Sequence, residues 1–485
     1  MANANGAAIV MARRIATENR PVAIRPAAPV PHLKAPGFFK TMRLLRDNPI
    51  AAFATPGYEV PLVDLSRGGR KILLVSDPRG IEHVLIDNTV NYRKSLQQRR
   101  RLQPALGDGL LTAEGETWRT VRRIAAPLFN PGAVADLFED MSCAAEIMVE
   151  RWQSRSLKSG PMDVAAEFQR LTYEIVSRTI FSGALDEDRA RVHANMAIYF
   201  DTLGRIDLAS ILNLPVWLPS LASIRARPAL GVFRSVVDRV VKARLADSKR
   251  KVSDLLDRLI SARDPLTGQT LPSPAVADNV LTFLAAGHET TANALSWVLY
   301  LLALFPEAED RVLSEMDTCF KSGPATPAHF AAMTFTRAVI NESLRLYPPV
   351  PFIGREALHD DEVAGNFIES GTQIVISPWI VHRHRGLWAQ PEAFLPERFL
   401  PSEDLSAAGE AMERGRFIPF GLGPRVCIGQ GFAIQEIFVV LAKILPAFQF
   451  KLVDANAVFP QSRITLRPVG GIPMIVTPRY HIKRG

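Results

Sequence analysis

Residues 274–305 form a single apolar stretch, headed by Ser273 and Pro274 and stopped at Pro306. Proline fits the first turn of a helix and cannot continue one, so these prolines frame one uninterrupted helix. At about 1.5 Å per residue it would run roughly 48 Å, enough to cross the whole molecule. Its middle, F-L-A-A-G-H-E-T-T-A-N-A-L-S-W, breaks the apolar pattern at Gly287, His288, Glu289, Thr290 and Thr291. Glycine costs a helix about 1 kcal/mol relative to alanine, and a buried glutamate costs more unless it is partnered. Threonine hydroxyls can take over i−4 carbonyl bonds and bend the helix locally. A core helix with these defects offers a groove in which a small ligand can lie. His288 reads as a wall residue, not a ligand.

The second constraint is the stretch 416–432, R-F-I-P-F-G-L-G-P-R-V-C-I-G-Q-G-F. It sets one cysteine, Cys427, among glycines, aromatics and arginines. A metal-bound thiolate needs backbone N–H groups aimed at sulfur, exclusion of water, and close approach to a flat cofactor. Gly421, Gly423 and Gly429 would remove Cβ atoms from that approach.

Composition is that of a globular protein: 485 residues, 47% hydrophobic and 22% charged. Cys143, Cys319 and Cys427 are too scattered for a disulfide framework or a paired zinc motif, which suits a reducing compartment. The net charge of +8 is spread over patches at 99–101, at Arg119, Arg122 and Arg123, and at 242–251. No nucleic-acid-binding signature accompanies them. An acidic protein partner or an anionic cofactor is the better match, with solvated helix faces an equal alternative for 242–251. The apolar run Ala7–Ala12 is too short to span a membrane and no cleavage site follows it. A soluble, cytoplasmic protein with no membrane span is expected.

Residues 1–44 read as a tail with a proline-rich lead, and 45–485 as one large domain. E-V-P-L-V-D-L and K-I-L-L-V-S-D-P are expected as two strands of a small sheet, followed by a short helix capped by Asp77. Residues 92–113, rich in Arg, Gln and Leu, are expected as a loop, and a helix begins near Glu116. Helical periodicity then dominates from Pro131 to about Ile260. Its exception, the apolar and proline-broken stretch 212–221, is expected as a lid or channel mouth. Helices continue to Tyr347, and a last apolar helix covers about 430–447 before a β-rich tail.

Four motifs carry a resemblance to one family. Phe420–Gly429 resembles F-x-x-G-x-R-x-C-x-G, the haem-ligand loop of the cytochrome P-450 superfamily. Ala286–Thr291 resembles its oxygen-binding motif, I-N-E-S-L-R its E-x-x-R pair, and W-R-T-V-R its propionate-binding helix. The resemblance implies a mainly α fold with small β-sheets, a long central helix over the haem and the cysteine loop beneath it. It implies haem b with Cys427 as axial ligand and metal contact, whose electron donation favours O–O cleavage. Trp118, Arg122, Arg425 and Arg355 would hold the haem carboxylates, with Phe420 and Gly287 against the cofactor. Thr290 would orient hydrogen bonds to dioxygen and Glu289 relay protons. Glu342 and Arg345, joined by Arg398 of L-P-E-R-F, would be structural. The family's H-R-D is replaced by His382-Arg383-His384, which implies a local change beside the site.

The implied activity is a monooxygenase that inserts one atom of O2 into an apolar substrate. No flavin or dinucleotide motif accompanies the haem motifs, so electrons would come from NAD(P)H through a separate reductase. A ferredoxin or flavodoxin would dock on a basic face near Arg119 and Arg123. Leu106, Leu110, Leu111, Phe283, Ala286, Val350, Phe352, Ile353 and Ile464, with the stretch 208–221, are candidate pocket residues. They carry no fixed charge, which favours a lipophilic molecule such as a terpenoid or fatty acyl chain. A peroxide-driven or isomerase-type enzyme, and a non-catalytic haem sensor, are the alternatives. The intact Glu289-Thr290 pair argues against both.

Overall fold

The computed structural model describes residues 25–66, 69–156, 160–184, 191–192, 194–195, 198, 221–247, 254–401 and 414–479. The stretch 212–220 lies outside them, so the expected lid is not described. The principal helices are α1 (Phe38–Asp47), α2 (Leu96–Leu106), α3 (Gly115–Ala125), α4 (Phe138–Ser156), α5 (Val164–Phe181), α6 (Leu221–Ala246), α7 (Ser273–Leu304), α8 (Pro306–Cys319), α9 (Thr334–Leu346) and α10 (Gln430–Ala447). One mixed sheet joins β1 (Leu62–Asp64), β2 (Ile72–Val75), β3 (Tyr92–Lys94), β4 (Ile353–Ala357) and β5 (Gln373–Ile376) in the order β1-β2-β5-β4-β3. Near the C-terminus β6 (Pro460–Ser462) and β7 (Leu466–Pro468) form a hairpin.

The long helix organises the interior. Its N-terminal half packs Val280, Leu281 and Leu284 with Phe181 of α5 and Val237 of α6. Its C-terminal half packs Leu295, Trp297 and Leu299 with Trp152 of α4, Leu344 of α9 and Phe438 of α10. Trp297 stacks on Tyr347 with ring centroids 4.0 Å apart. The polar interruption 286–291 falls in the gap between these two apolar clusters. The defects in the helix therefore do not interrupt either core. A third cluster, with Val75, Ile376 and Ile418, lies against the mixed sheet.

Helix ends follow local chemistry. Asp77 Oδ2 accepts the Gly80 N–H at 2.7 Å, capping the turn that starts at Pro78. Residues 92–113 depart from the expected loop: they hold β3 and the helix α2, and only the stretch after Leu106 is loop. Ser95 caps α2 by accepting the Gln98 N–H at 3.3 Å, and Leu102, Ala105 and Leu106 form its buried face. Tertiary burial of that narrow face outweighs the polar character of the segment. Among the described residues, α10 alone is long and apolar enough to cross a membrane, and most of it is buried inside the protein.

Candidate active site

The loop bearing Cys427 lies between β5 and α10 and is shaped by two left-handed glycines, Gly421 (φ 76°) and Gly423 (φ 74°). A Cβ on Gly423 would lie 1.9 Å from the Leu85 carbonyl oxygen, so only glycine fits there. Gly429 is different: its φ is −90° and no atom lies within 4 Å of a Cβ built on it. Its contribution is its N–H, which bonds the Cys427 sulfur. The Cys427 N–H donates to Phe420 O at 2.9 Å. Burial pushes the thiol pKa up, against the opposing pull of the Gly429 N–H and of Arg122. A cation at the sulfur would reverse that balance.

Cys427 opens onto an internal cavity of about 1290 Å³. That exceeds the roughly 300–1,000 Å³ of a site for one small ligand, leaving room for a flat cofactor and a second molecule. Trp118, Arg122, Arg355, Arg425 and Phe420 all line it. So do Gly287 and Thr290, and each of the nine apolar pocket candidates between Leu106 and Ile464.

One edge of this cavity is crowded with positive charge. Arg122 donates to Val426 O at 3.0 Å. Arg425 donates to Ala113 O at 3.1 Å, pairs with Glu114, and lies 4.3 Å from the Trp118 ring centroid. Arg355 is buried, with one bond to Gly354 O at 2.9 Å. Lys94, at the end of β3, is also buried and donates to Leu111 O. Burial, with repulsion from Arg425 adding to it, pushes Lys94 down to about 7 and Arg355 down to about 10. Glu114 is the one carboxylate acting on both groups. Buried cations in excess call for an anionic ligand, and two carboxylates on a cofactor would supply it.

On the opposite wall, Thr290 donates its hydroxyl hydrogen to Ala286 O at 2.5 Å. Its oxygen is thereby left to the cavity as an acceptor. Glu289 is buried and accepts from Thr465, which itself lines the cavity and accepts from Asn293 at 3.2 Å. Burial raises its pKa, and Arg467 opposes the rise. His288 turns away from the cavity: its Nε2 meets Gln169 O at 2.9 Å, and its ring packs edge-on against Tyr173 of α5.

Behind the cysteine loop, Glu342 and Arg345 are 0% exposed. Arg345 holds both carboxylate oxygens, at 2.6 and 2.7 Å, and donates to the carbonyls of His382, Pro391 and Ala393. Arg398 Nε reaches Glu342 at 3.2 Å. His382 extends this network: Nδ1 donates to Arg345 O at 3.2 Å, while Nε2 accepts the Ile418 N–H at 2.9 Å. Burial pushes it well below the usual histidine range, so it is neutral and its tautomer is fixed by its two partners.

Two contributors were not singled out from the sequence: Lys94 and Glu114. Each stands beside a recognised motif, but its partner is far away along the chain. Arg123 requires a correction. It grips the buried Asp264 through two bonds of 2.9 Å and also contacts Glu116, so it is not available for docking a partner.

A model of the family described as "Cytochrome P450" matches residues 52–472. The chain belongs to the cytochrome P450 family. It is 29% identical to cyclooctatin synthase of Streptomyces melanosporofaciens over 90% of this chain and 93% of that protein. It is 31% identical to cyclooctat-9-en-7-ol 5-monooxygenase of the same organism over the same shares. Carotene epsilon-monooxygenase of Arabidopsis thaliana is 29% identical, over 86% of this chain and 80% of that protein. The solved haem domain of cytochrome P450DA superposes with a TM-score of 0.77 at 23% identity, covering 94% of this chain and 99% of that one. The fold is therefore that of a P450, mainly helical with small sheets, and the enzyme is a haem-thiolate P450 monooxygenase. The donor set fits haem on this structure's own terms. A thiol opens onto the cavity, and a cationic edge suited to two carboxylates borders it.

Proposed function

We propose that this P450 hydroxylates a lipophilic substrate of low polarity in the cavity between Cys427 and Thr290. Haem, when bound, supplies O2 activation. The overall balance is C–H plus O2, two electrons and two protons giving C–OH and water. Cys427 would bind the haem iron through its sulfur, and Trp118, Arg122, Arg355, Arg425 and Lys94 would hold the haem carboxylates. Thr290 Oγ1 accepts a hydrogen bond from whatever proton-bearing group lies beside it, and Glu289 exchanges protons with that side through Thr465. Glu342, Arg345 and Arg398 brace the loop and take no part in the chemistry.

The observation that carries this reading is the convergence of Cys427 and Thr290 on one cavity otherwise walled largely by apolar side chains. Such walls favour a hydrocarbon-rich guest, such as a terpenoid or a fatty acyl chain. The relatives' names mention carotene and cyclooctat-9-en-7-ol, which supports an isoprenoid-like skeleton. Electrons come from NAD(P)H through a separate ferredoxin- or flavodoxin-type donor. Arg119 shares Glu116 with Arg123 at 3.2 Å, but it is 53% exposed and near Arg425, and it is the cation offered to the donor.

The test is turnover of a terpenoid and fatty-acid panel under ¹⁸O2 with NADPH, ferredoxin reductase and ferredoxin. Product carrying one labelled oxygen, formed only with the complete electron supply, is expected. Turnover on peroxide alone, at the same rate and without label from O2, would overturn the reading.

A further inference from the structure

The cavity wall made by Leu106, Leu110 and Leu111 is held from behind by two adjacent side chains of α7 that belong to none of the motifs. Asp278 Oδ2 accepts the Asp108 N–H at 2.9 Å, and Asn279 Oδ1 accepts the Leu110 N–H at 2.8 Å. The loop backbone lies directly on the helix. Gly107 has φ +55°, and a Cβ there would be 2.2 Å from the Asp278 carboxylate. A Cβ on Gly109 would be 2.6 Å from the Asp278 carbonyl oxygen. The other carboxylate oxygen of Asp278 takes Arg234 of α6.

Internal bonds make the loop a unit. Thr112 and Ala113 donate N–H groups to Gly109 O at 2.9 and 2.8 Å, and the Thr112 hydroxyl donates to Gly107 O at 2.7 Å. Its far end is tied to the cationic edge through Lys94 on Leu111 O and Arg425 on Ala113 O. Leu110 and Leu111 therefore cannot shift singly. They move when the attachment at Asp278 and Asn279 changes.

We propose that Asp278 is a positioning residue that determines substrate size. One oxygen on Arg234 and the other on the Asp108 N–H fix α6, α7 and the 106–111 wall to one another. They thereby set the depth available to an apolar guest. Its use in substrate choice rests on the functional reading above; the mechanical link does not. A carboxylate accepting from an N–H and a guanidinium at once makes stronger bonds than a neutral acceptor would. The Arg234 partner is 39% exposed, so its removal leaves a folded protein and changes the link alone.

The experiment uses the haem-loaded enzyme and three variants: Asp278→Asn, Arg234→Gln and the double variant. Amide hydrogen exchange is followed at Asp108 and Leu110. Binding of n-alkylimidazoles of increasing chain length is read by the Soret shift. Each single variant is expected to speed exchange at both amides by up to about fivefold, and to flatten the dependence of affinity on chain length. The double variant is expected to do no more than either single one, as for partners in one link. Unchanged exchange in both single variants, or additive effects in the double, would overturn the proposal. Faster exchange with unchanged length preference would overturn the role in substrate choice. Failure of every imidazole to shift the Soret band, with exchange still responding, would strike the functional reading instead.

Discussion

Glu289 and Thr290 are neighbours in sequence, yet a turn of about 100° around the long helix gives them different surroundings. Thr290 lines the cavity, with its hydroxyl hydrogen on Ala286 O at 2.5 Å. Glu289 is 6% exposed, outside the cavity lining, and bonded to Thr465. Thr465 does line the cavity, which makes its hydroxyl the bridge between the acid and the reacting side.

Replacing Glu289 by Gln keeps the shape and removes the exchangeable acid. Product formation is expected to fall about 10²-fold, in the range of a lost general acid, while substrate-induced spectral shifts persist. Thr290→Ala is expected to divert electrons to peroxide. Both are checked by counting product and peroxide per NADPH consumed.

Lys94 gives a pH signature. In the cofactor-free fold its pKa is pushed down to about 7, whereas the unfolded chain titrates near about 10.4. The unfolded state therefore binds more protons between those values, and the penalty from Lys94 lifts as pH rises through that window. Wild type is expected to gain stability relative to Lys94→Met from pH 7 to 10, by at most about 1.4 kcal/mol per pH unit. Denaturant titrations of both proteins across that range measure it. In the haem-loaded pair the difference is expected to flatten, because the haem carboxylates compensate the charge.

Glu342→Ala strands Arg345 at zero exposure. A loss of about 3–5 kcal/mol is expected for breaking a buried pair, together with poor haem retention. Arg345→Lys should not restore stability, since one ammonium cannot reach Glu342 and the His382, Pro391 and Ala393 carbonyls together. Unfolding curves and the ratio of haem to protein absorbance report both effects.

The two arginines of the supposed basic face should behave differently. Arg119→Glu is expected to weaken binding of an acidic ferredoxin by up to about tenfold, and to reduce its salt dependence. Arg123→Glu sets a like charge against the buried Asp264, so its expected effect is lost stability. Titration with ferredoxin at two ionic strengths, beside a thermal melt, separates them.

The sequence made the helices with strong punctuation legible. Prolines frame α7, and the apolar run of α10 covers Gln430–Ala447. It hid α2, whose buried Leu102, Ala105 and Leu106 sit in an otherwise polar segment where propensity alone says little. Cys427, Thr290 and Arg345 stood out because their motifs are local. Glu114, 311 residues from its partner Arg425, did not. Asp264, 141 residues from Arg123, was equally silent, so a paired cation read as a free one. Local chemistry is written in the motifs, whereas charge pairing depends on which distant segments the fold brings together.

The most direct measurement is the absorption spectrum of the reduced, carbon-monoxide-treated protein, for wild type and Cys427→Ala. Wild type should show the thiolate-type Soret band and form product. The variant should lose that band and hydroxylate nothing. A Cys427→Ala protein that kept the thiolate-type band, or hydroxylated substrate at the normal rate, would contradict the assignment of Cys427 as the iron ligand.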